Sequence, residues 1–86
     1  MAKKNVDEYE RVLTIIVSGN YLDNDGYITL TQISDIFRMI SDRTRDSTIV
    51  PHIKAMVRMN LLKKRGELSY QVNEDWKDII KLFKVV

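Results

Sequence analysis

The feature with the clearest chemistry is a concentration of basic residues in the middle of the chain. Residues 36–66 carry eight lysines and arginines against two aspartates, a net charge of +6, whereas residues 1–35 have a net charge of −3 and residues 67–86 of −1. The net charge of the whole chain, +2, conceals this division. Cations gathered in one segment are typical of a surface that binds a polyanion. An ordinary solvated surface has the same composition, so charge alone leaves both interpretations open.

Residues able to perform catalysis are scarce. The chain has no cysteine and a single histidine, His52, which excludes disulfides, thiolate zinc sites and multi-histidine metal centres. There is no nucleophile–base signature and no glycine-rich phosphate loop. We therefore expect no enzymatic activity, no cofactor and no metal. A histidine at this position can contact a phosphate or sense pH, but we expect an ordinary helix-surface residue.

One acidic motif suggests a different chemistry. Asp23-Asn24-Asp25-Gly26-Tyr27-Ile28-Thr29 resembles the middle of an EF-hand calcium loop. The first and twelfth ligand positions of such a loop fall on Tyr21 and Gln32, which leaves only two carboxylates. Calcium binding is therefore the weaker alternative, and a turn rich in Asn, Asp and Gly explains the same residues.

Apolar spacing predicts a helix, a short strand and a second helix in the first half of the chain. The first helix covers residues 6–19, with Ile15 off its inward stripe. A turn at 20–26 leads to a strand at 27–30, where Thr29 and Gln32 have the spacing of a capping box that starts the second helix. The inward stripes consist of Tyr9, Val12, Leu13, Ile16 and Val17 in the first helix and of Ile33, Ile36, Phe37 and Ile40 in the second.

The second half predicts a helix, a hairpin and a final helix. Ser47 is the expected N-cap of the third helix, with Pro51 in or beside its first turn. Two strands at 61–64 and 68–72 enclose Gly66, which is expected to supply a positive φ, and Asn73 is expected to cap the last helix. The expected inward residues are Ile49, Ile53, Met56, Val57 and Asn60, then Trp76, Ile79, Ile80 and Phe83. We therefore expect residues 1–86 to form a single α+β domain, mostly α.

This order of elements resembles the winged helix-turn-helix domain over residues 6–86. Residues 27–33, Tyr-Ile-Thr-Leu-Thr-Gln-Ile, are similar to the strand and helix entry of MarR, ArsR and TrmB-type regulators. Residues 47–57 and 60–65 resemble their recognition helix and first wing strand. Small winged-helix proteins of archaeal viruses and plasmids are similar in length and layout. The stretch 39–46 is longer than the family's turn, and Asn60 replaces its usual glycine.

The resemblance implies sequence-specific binding of double-stranded DNA by a transcriptional regulator, with the third helix in the major groove and the basic wing on the backbone. Arg58 can grip guanine, although its late position in the helix favours phosphate. The alternative is a winged-helix protein–protein interaction module that does not bind DNA. The candidate DNA-binding residues are Arg43, Arg45, Ser47, Thr48, Pro51, Lys54, Arg58, Lys63, Lys64 and Arg65.

Apolar residues of the terminal helices predict a homodimer, whose two recognition helices would match a palindromic operator. The candidate interface residues are Ile15, Trp76, Ile79, Ile80, Leu82 and Phe83, and a place in the core is the other expectation for the Trp76 stripe. No apolar run has the length of a signal peptide core or of a membrane span. We therefore expect no membrane partner and a cytoplasmic location, or the host cytoplasm if a virus encodes the chain.

Overall fold

The fold is α+β and mostly helical. A computed structural model describes residues 3–40 and 45–85, and within them four helices accompany one three-stranded sheet. The elements are α1 (Lys3–Ser18), β1 (Tyr27–Thr29), α2 (Leu30–Ile40), α3 (Asp46–Arg58), β2 (Leu62–Lys64), β3 (Ser69–Val72) and α4 (Trp76–Val85). Each predicted helix and strand is confirmed, with small shifts at the ends.

The sheet is antiparallel, and β3 lies between β1 and β2. Tyr70 of β3 is opposite Ile28 on one side and Lys64 on the other, while Gln71 is opposite Tyr27 and Lys63. Successive side chains of a strand point to opposite sides of the sheet, so these two rows lie on different sides. The row that contains buried Ile28 and Tyr70 faces the core.

One hydrophobic core joins all four helices to the inner side of the sheet. It includes three residues from α2 and three from α3 at the spacing of one helical face, as predicted. The buried apolar residues are Val6, Tyr9, Val12, Leu13, Ile16, Ile28, Ile33, Ile36, Phe37, Ile49, Ile53, Met56, Met59, Leu61, Leu62, Tyr70, Trp76 and Ile80.

Two positions of α1 differ from the prediction. Val17, expected to face inward, is 47% exposed, whereas Ile15, expected outside the stripe, is partly buried against the core. The helix also begins at Lys3 rather than near Val6, and Val6 is itself buried. In the last turn of α1, the spacing of apolar residues allows either Ile15 or Val17 to face the core. Packing of the other elements against α1 buries part of Ile15 and leaves Val17 exposed.

The entry to α2 is fixed by the predicted capping box. The Gln32 backbone N–H donates to Thr29 Oγ1 at 3.2 Å, and the Thr29 N–H donates to Gln32 Oε1 at 3.1 Å. In the preceding turn, Asp23 Oδ1 accepts the N–H groups of Asp25 and Tyr27, both at 2.9 Å. These bonds join near neighbours in the sequence and fix the way in which β1 leads into α2.

The last helix begins two residues later than expected from an Asn73 cap. Asn73 Oδ1 accepts the N–H of Asp75 at 3.0 Å, and its carbonyl accepts the N–H of Trp76 at 3.1 Å, which forms a turn ahead of α4. The Asn73 side chain therefore organises the approach to α4 rather than its first helical turn.

Candidate nucleic-acid interface

The outward stripe of α3 is the first part of the candidate interface. Five of the candidate residues, at spacings of one to four, are exposed along one side of the helix, and Ala55 beside them is partly buried. At a rise of about 1.5 Å per residue, the stripe is about 16 Å long, comparable with the ~12 Å width of the DNA major groove. These five residues are Ser47, Thr48, Pro51, Lys54 and Arg58.

The start of α3 differs from the prediction. The helix begins at Asp46, so Arg45 occupies the N-cap position and Ser47 lies within the first turn without a capping role. Thr48 Oγ1 donates to the Arg45 carbonyl at 2.7 Å, so a side-chain hydrogen bond stabilises the first turn of α3. Pro51 is consequently inside the helix, where its missing N–H leaves the Ser47 carbonyl without its i+4 partner. Both residues are exposed, so water can hydrate that carbonyl.

Asn60 follows the C-terminal end of α3 and has a positive φ of 64°. The Asn60 side chain is exposed, so the prediction that it faces inward is wrong. The Asn60 N–H donates to the Val57 carbonyl at 3.0 Å, and the N–H of Leu61 donates to the Met56 carbonyl at 2.9 Å. This pair of bonds is the Schellman motif, with Leu61 and Met56 both buried as its hydrophobic contact. Asn at this position is thus compatible with a left-handed helix exit, as expected.

The wing hairpin places its two lysines on different sides of the sheet. Leu62 is buried, and strand alternation places Lys64 on the same, core-facing side and Lys63 on the outer side. Helix α3 packs against β2 in this core. Lys64 therefore projects from the edge of the sheet on the side where α3 packs, and Lys63 projects from the opposite side of the sheet. The sequence predicted the same role for both, and only the register separates them.

The wing loop, residues 65–68, is closed by a bond from the Arg65 N–H to the Ser69 carbonyl at 2.9 Å. The Arg65 side chain lies over the outer side of the sheet, where its Nε donates to Gln71 Oε1 at 2.8 Å. Gly66 does not have the predicted positive φ. Because the loop has four residues, several of them share the reversal of the chain, and Gly66 does not need a positive φ.

Three cations of the candidate interface, Lys54, Arg58 and Lys64, have no carboxylate partner among the described residues. Among the residues that the structure describes, ion pairs join Arg38 to an aspartate of α2 and Lys84 to two acidic residues of α1. Within the same part of the chain, Lys54, Arg58 and Lys64 are exposed and form no ion pair. Their charge is available to an external anion. Arg43, also a candidate, lies outside the described residues.

His52 has a structural role that sequence reasoning missed. Its Nδ1 lies 2.6 Å from the hydroxyl oxygen of Tyr9, which is buried in α1. The rings of Tyr9 and Phe37 lie 5.6 and 6.2 Å from the imidazole, measured between centroids. His52 is thus part of an aromatic cluster that joins α1, α2 and α3. The only available signal was its position on the flank of α3, because Tyr9 is distant in sequence.

The candidate dimer residues separate into two groups. Trp76 and Ile80 are 6% and 0% exposed and belong to the core of the protomer, so they offer almost no surface to a second copy. Ile15, Ile79 and Phe83 pack partly against the same core, and Leu82 is 69% exposed. Of the predicted interface, only Leu82 and the exposed parts of Ile15, Ile79 and Phe83 remain accessible to a second copy.

In the candidate calcium turn, the carboxylate of Asp23 accepts hydrogen bonds from the backbone of the turn itself. One oxygen of Asp23 already accepts two N–H groups, as described above. Within residues 3–40 and 45–85, no group of three His, Cys, Asp or Glu residues could hold a metal ion. The turn is thus explained by its own hydrogen bonds.

Comparison of the chain with protein-family models, with curated proteins and with solved structures finds no significant match. None of the helices in the described ranges is long and apolar enough to cross a membrane.

Proposed function

We propose that this chain is a winged-helix protein that binds double-stranded DNA, with α3 in the major groove and the hairpin of β2 and β3 as a wing on the flanking backbone. The observation that carries the proposal is the coincidence of charge and exposure. Residues 45–65 hold six basic residues and one acidic residue, and the exposed stripe of α3 and the first strand of the wing both lie in this segment.

The order of elements supports the proposal. A helix, a strand, two helices, a two-stranded hairpin and a final helix, with β1 added to the hairpin, are compatible with a winged helix. In that arrangement the second of the two central helices enters the groove and the hairpin flanks it. The short, exposed side chains at the start of α3, Ser47, Thr48 and Pro51, allow close approach to base edges.

The long cations have a different role in the proposal. Arg58 is at the last position of α3 and Lys64 is at the end of β2, so both lie at the limits of the interface rather than at its centre. Cations at the margin of a protein–DNA interface bind phosphates, which supplies affinity and fixes orientation. Sequence preference would come from the first two turns of α3. We propose that the protein acts as a transcriptional regulator and binds DNA as a homodimer.

Fluorescence anisotropy of a labelled random duplex tests the proposal. The protein is titrated into a duplex of about two helical turns, ~21 base pairs, at several salt concentrations. If about six phosphates are neutralised, affinity should fall roughly 10³-fold between about 50 and about 200 mM salt. Absence of binding even at the lowest salt would refute DNA binding and favour the protein-interaction alternative.

The two wing lysines provide a matched pair of variants. Lys64→Ala should lower affinity for all duplexes and reduce the salt slope by about 0.9, the value of one lost phosphate contact. Lys63→Ala removes the same charge from the other side of the hairpin and should have a smaller effect. Equal effects of the two variants would mean that net charge, rather than the proposed orientation of the wing, determines affinity.

A further inference from the structure

Leu68, in the wing loop, is a large apolar side chain left in water. It is 60% exposed, although it is located between the two strands of the hairpin. Single exposed leucines are common on protein surfaces, so exposure alone carries no inference. Its position relative to the wing and to the charges around it is more informative.

The backbone of Leu68 is held in place. Its carbonyl accepts the N–H of Leu30 at 2.9 Å, which extends the pairing of β1 and β3 by one position beyond the Thr29 and Ser69 pair. Strand alternation then places Leu68 on the side of the sheet that carries Tyr70, two residues further along β3. This is also the side of Lys64. An apolar group and a cation thus border the same rim of the wing.

The rest of the loop contributes little net charge. Arg65 and Glu67 have opposite charges, and the Arg65 side chain is held over the outer side of the sheet by Gln71. The loop is therefore poorly suited to bind a phosphate by itself. Leu68 lies on the side of the sheet that carries Tyr70, and its apolar side chain suits an uncharged part of a nucleic acid.

We propose that Leu68 is an apolar contact of the wing with the deoxyribose and base edges of the DNA minor groove, adjacent to the phosphate bound by Lys64. This inference rests on the proposed DNA-binding function and adds a specific contact to it. Leucine is among the side chains that proteins place against or between base steps in the minor groove. The charge of Lys64, unpaired within the described part of the chain and on the same side of the wing as Leu68, argues for a polyanion as the occupant rather than an apolar protein partner.

The two wing contacts should differ in their dependence on salt. A cation bound to phosphate releases counterions, so its loss changes the slope of affinity against salt. An apolar contact releases none. Leu68→Ala should therefore weaken binding by the same factor at every salt concentration, and we expect this factor to be about tenfold from the lost apolar burial.

The experiment compares Leu68→Ala, Lys64→Ala and the control Val17→Ala on one random duplex across a series of salt concentrations. Val17 is also an exposed apolar residue, but it lies near the end of α1, outside the proposed interface. The inference predicts a parallel shift for Leu68→Ala, a reduced slope for Lys64→Ala and no change for Val17→Ala. Leu68→Gln, which keeps the side-chain length, should weaken binding as Leu68→Ala does. Circular dichroism of each variant establishes that it is folded.

The outcomes separate the two proposals. Salt-dependent binding by the wild type, with Leu68→Ala indistinguishable from Val17→Ala, would overturn the role of Leu68 and leave the DNA-binding function standing. A reduced salt slope for Leu68→Ala would also overturn it, because an apolar contact cannot change counterion release. No binding by the wild type would refute the proposed function, and the role of Leu68 with it.

Discussion

Replacement of Asn60 tests the structural basis of the exit from α3. The residue has a φ of 64° and an exposed side chain, so substitution changes the backbone preference without removing a core contact. The left-handed conformation costs most residues about 1–2 kcal/mol, whereas glycine adopts it freely and asparagine more readily than others. Asn60→Val should therefore destabilise the protein by about 1–2 kcal/mol.

Asn60→Gly should be close to neutral, because the relief of backbone strain is offset by the greater entropy of glycine in the unfolded chain, about 0.5–1 kcal/mol. For a domain of this size, 1 kcal/mol corresponds to roughly 4–8 °C in Tm. The valine variant should thus melt about 5–15 °C below the glycine variant. Both are measured by far-UV circular dichroism together with the fluorescence of Trp76, a buried residue and the only tryptophan.

Gly66 offers a matched control in the adjoining hairpin. Its φ is outside the left-handed region, and a Cβ built there would meet only Ser69 Cβ, at 3.8 Å. Gly66→Ala should therefore be neutral or stabilising by up to about 1 kcal/mol. If Asn60→Val melted at the same temperature as Asn60→Gly, or if Gly66→Ala were the more destabilised variant, our assignment of backbone strain to position 60 would be refuted.

Three further predictions concern other contacts of the chain. Thr29→Ala removes the acceptor for the Gln32 N–H and should cost about 1 kcal/mol in urea denaturation, and an unchanged midpoint would contradict the capping box. Tyr9→Phe removes the hydroxyl that bonds to His52 and should cost about 1 kcal/mol, measured in the same way. The pKa of Lys84 is raised above 10.5 by a hydrogen bond and attraction to acidic residues of α1. The stabilisation by Lys84 should therefore be complete below that pH and lost as the pH rises through the raised pKa, so wild type and Lys84→Met should converge in Tm at strongly alkaline pH.

Sequence analysis predicted best the features that depend on near neighbours. The capping box at Thr29 and Gln32 and the left-handed exit at Asn60 both formed as expected, because their hydrogen bonds join residues three to five positions apart. Local reasoning was wrong at Ser47, a good N-cap by residue type, because the N-cap is Arg45 and the helix begins two residues earlier than a Ser47 cap implies. Cap preferences are small compared with the free energy of packing that decides where a helix starts.

Features that depend on distant contacts were beyond sequence reasoning. Tyr9 and His52 are 43 positions apart, and their hydrogen bond exists only because α1 and α3 pack together. The opposite orientations of Lys63 and Lys64 follow from strand register, since a shift of one residue would exchange them. For the candidate interface, the sequence therefore identified the cations, and the fold assigned their directions.

The position of the wing relative to α3 depends on hydrogen bonds made by Asn73 rather than on the cations themselves. Asn73 Nδ2 donates to the Asn60 carbonyl at 2.7 Å, and the Asn73 N–H donates to the Leu61 carbonyl at 3.0 Å. These bonds fasten the exit of α3 to the end of β3, so the proposed contacts of Arg58 and Lys64 have a fixed separation. Substitution of either exposed cation should then change DNA affinity and leave stability nearly unchanged. Substitution of Asn73 should lower both, because it releases the hairpin from the helix that it is proposed to flank.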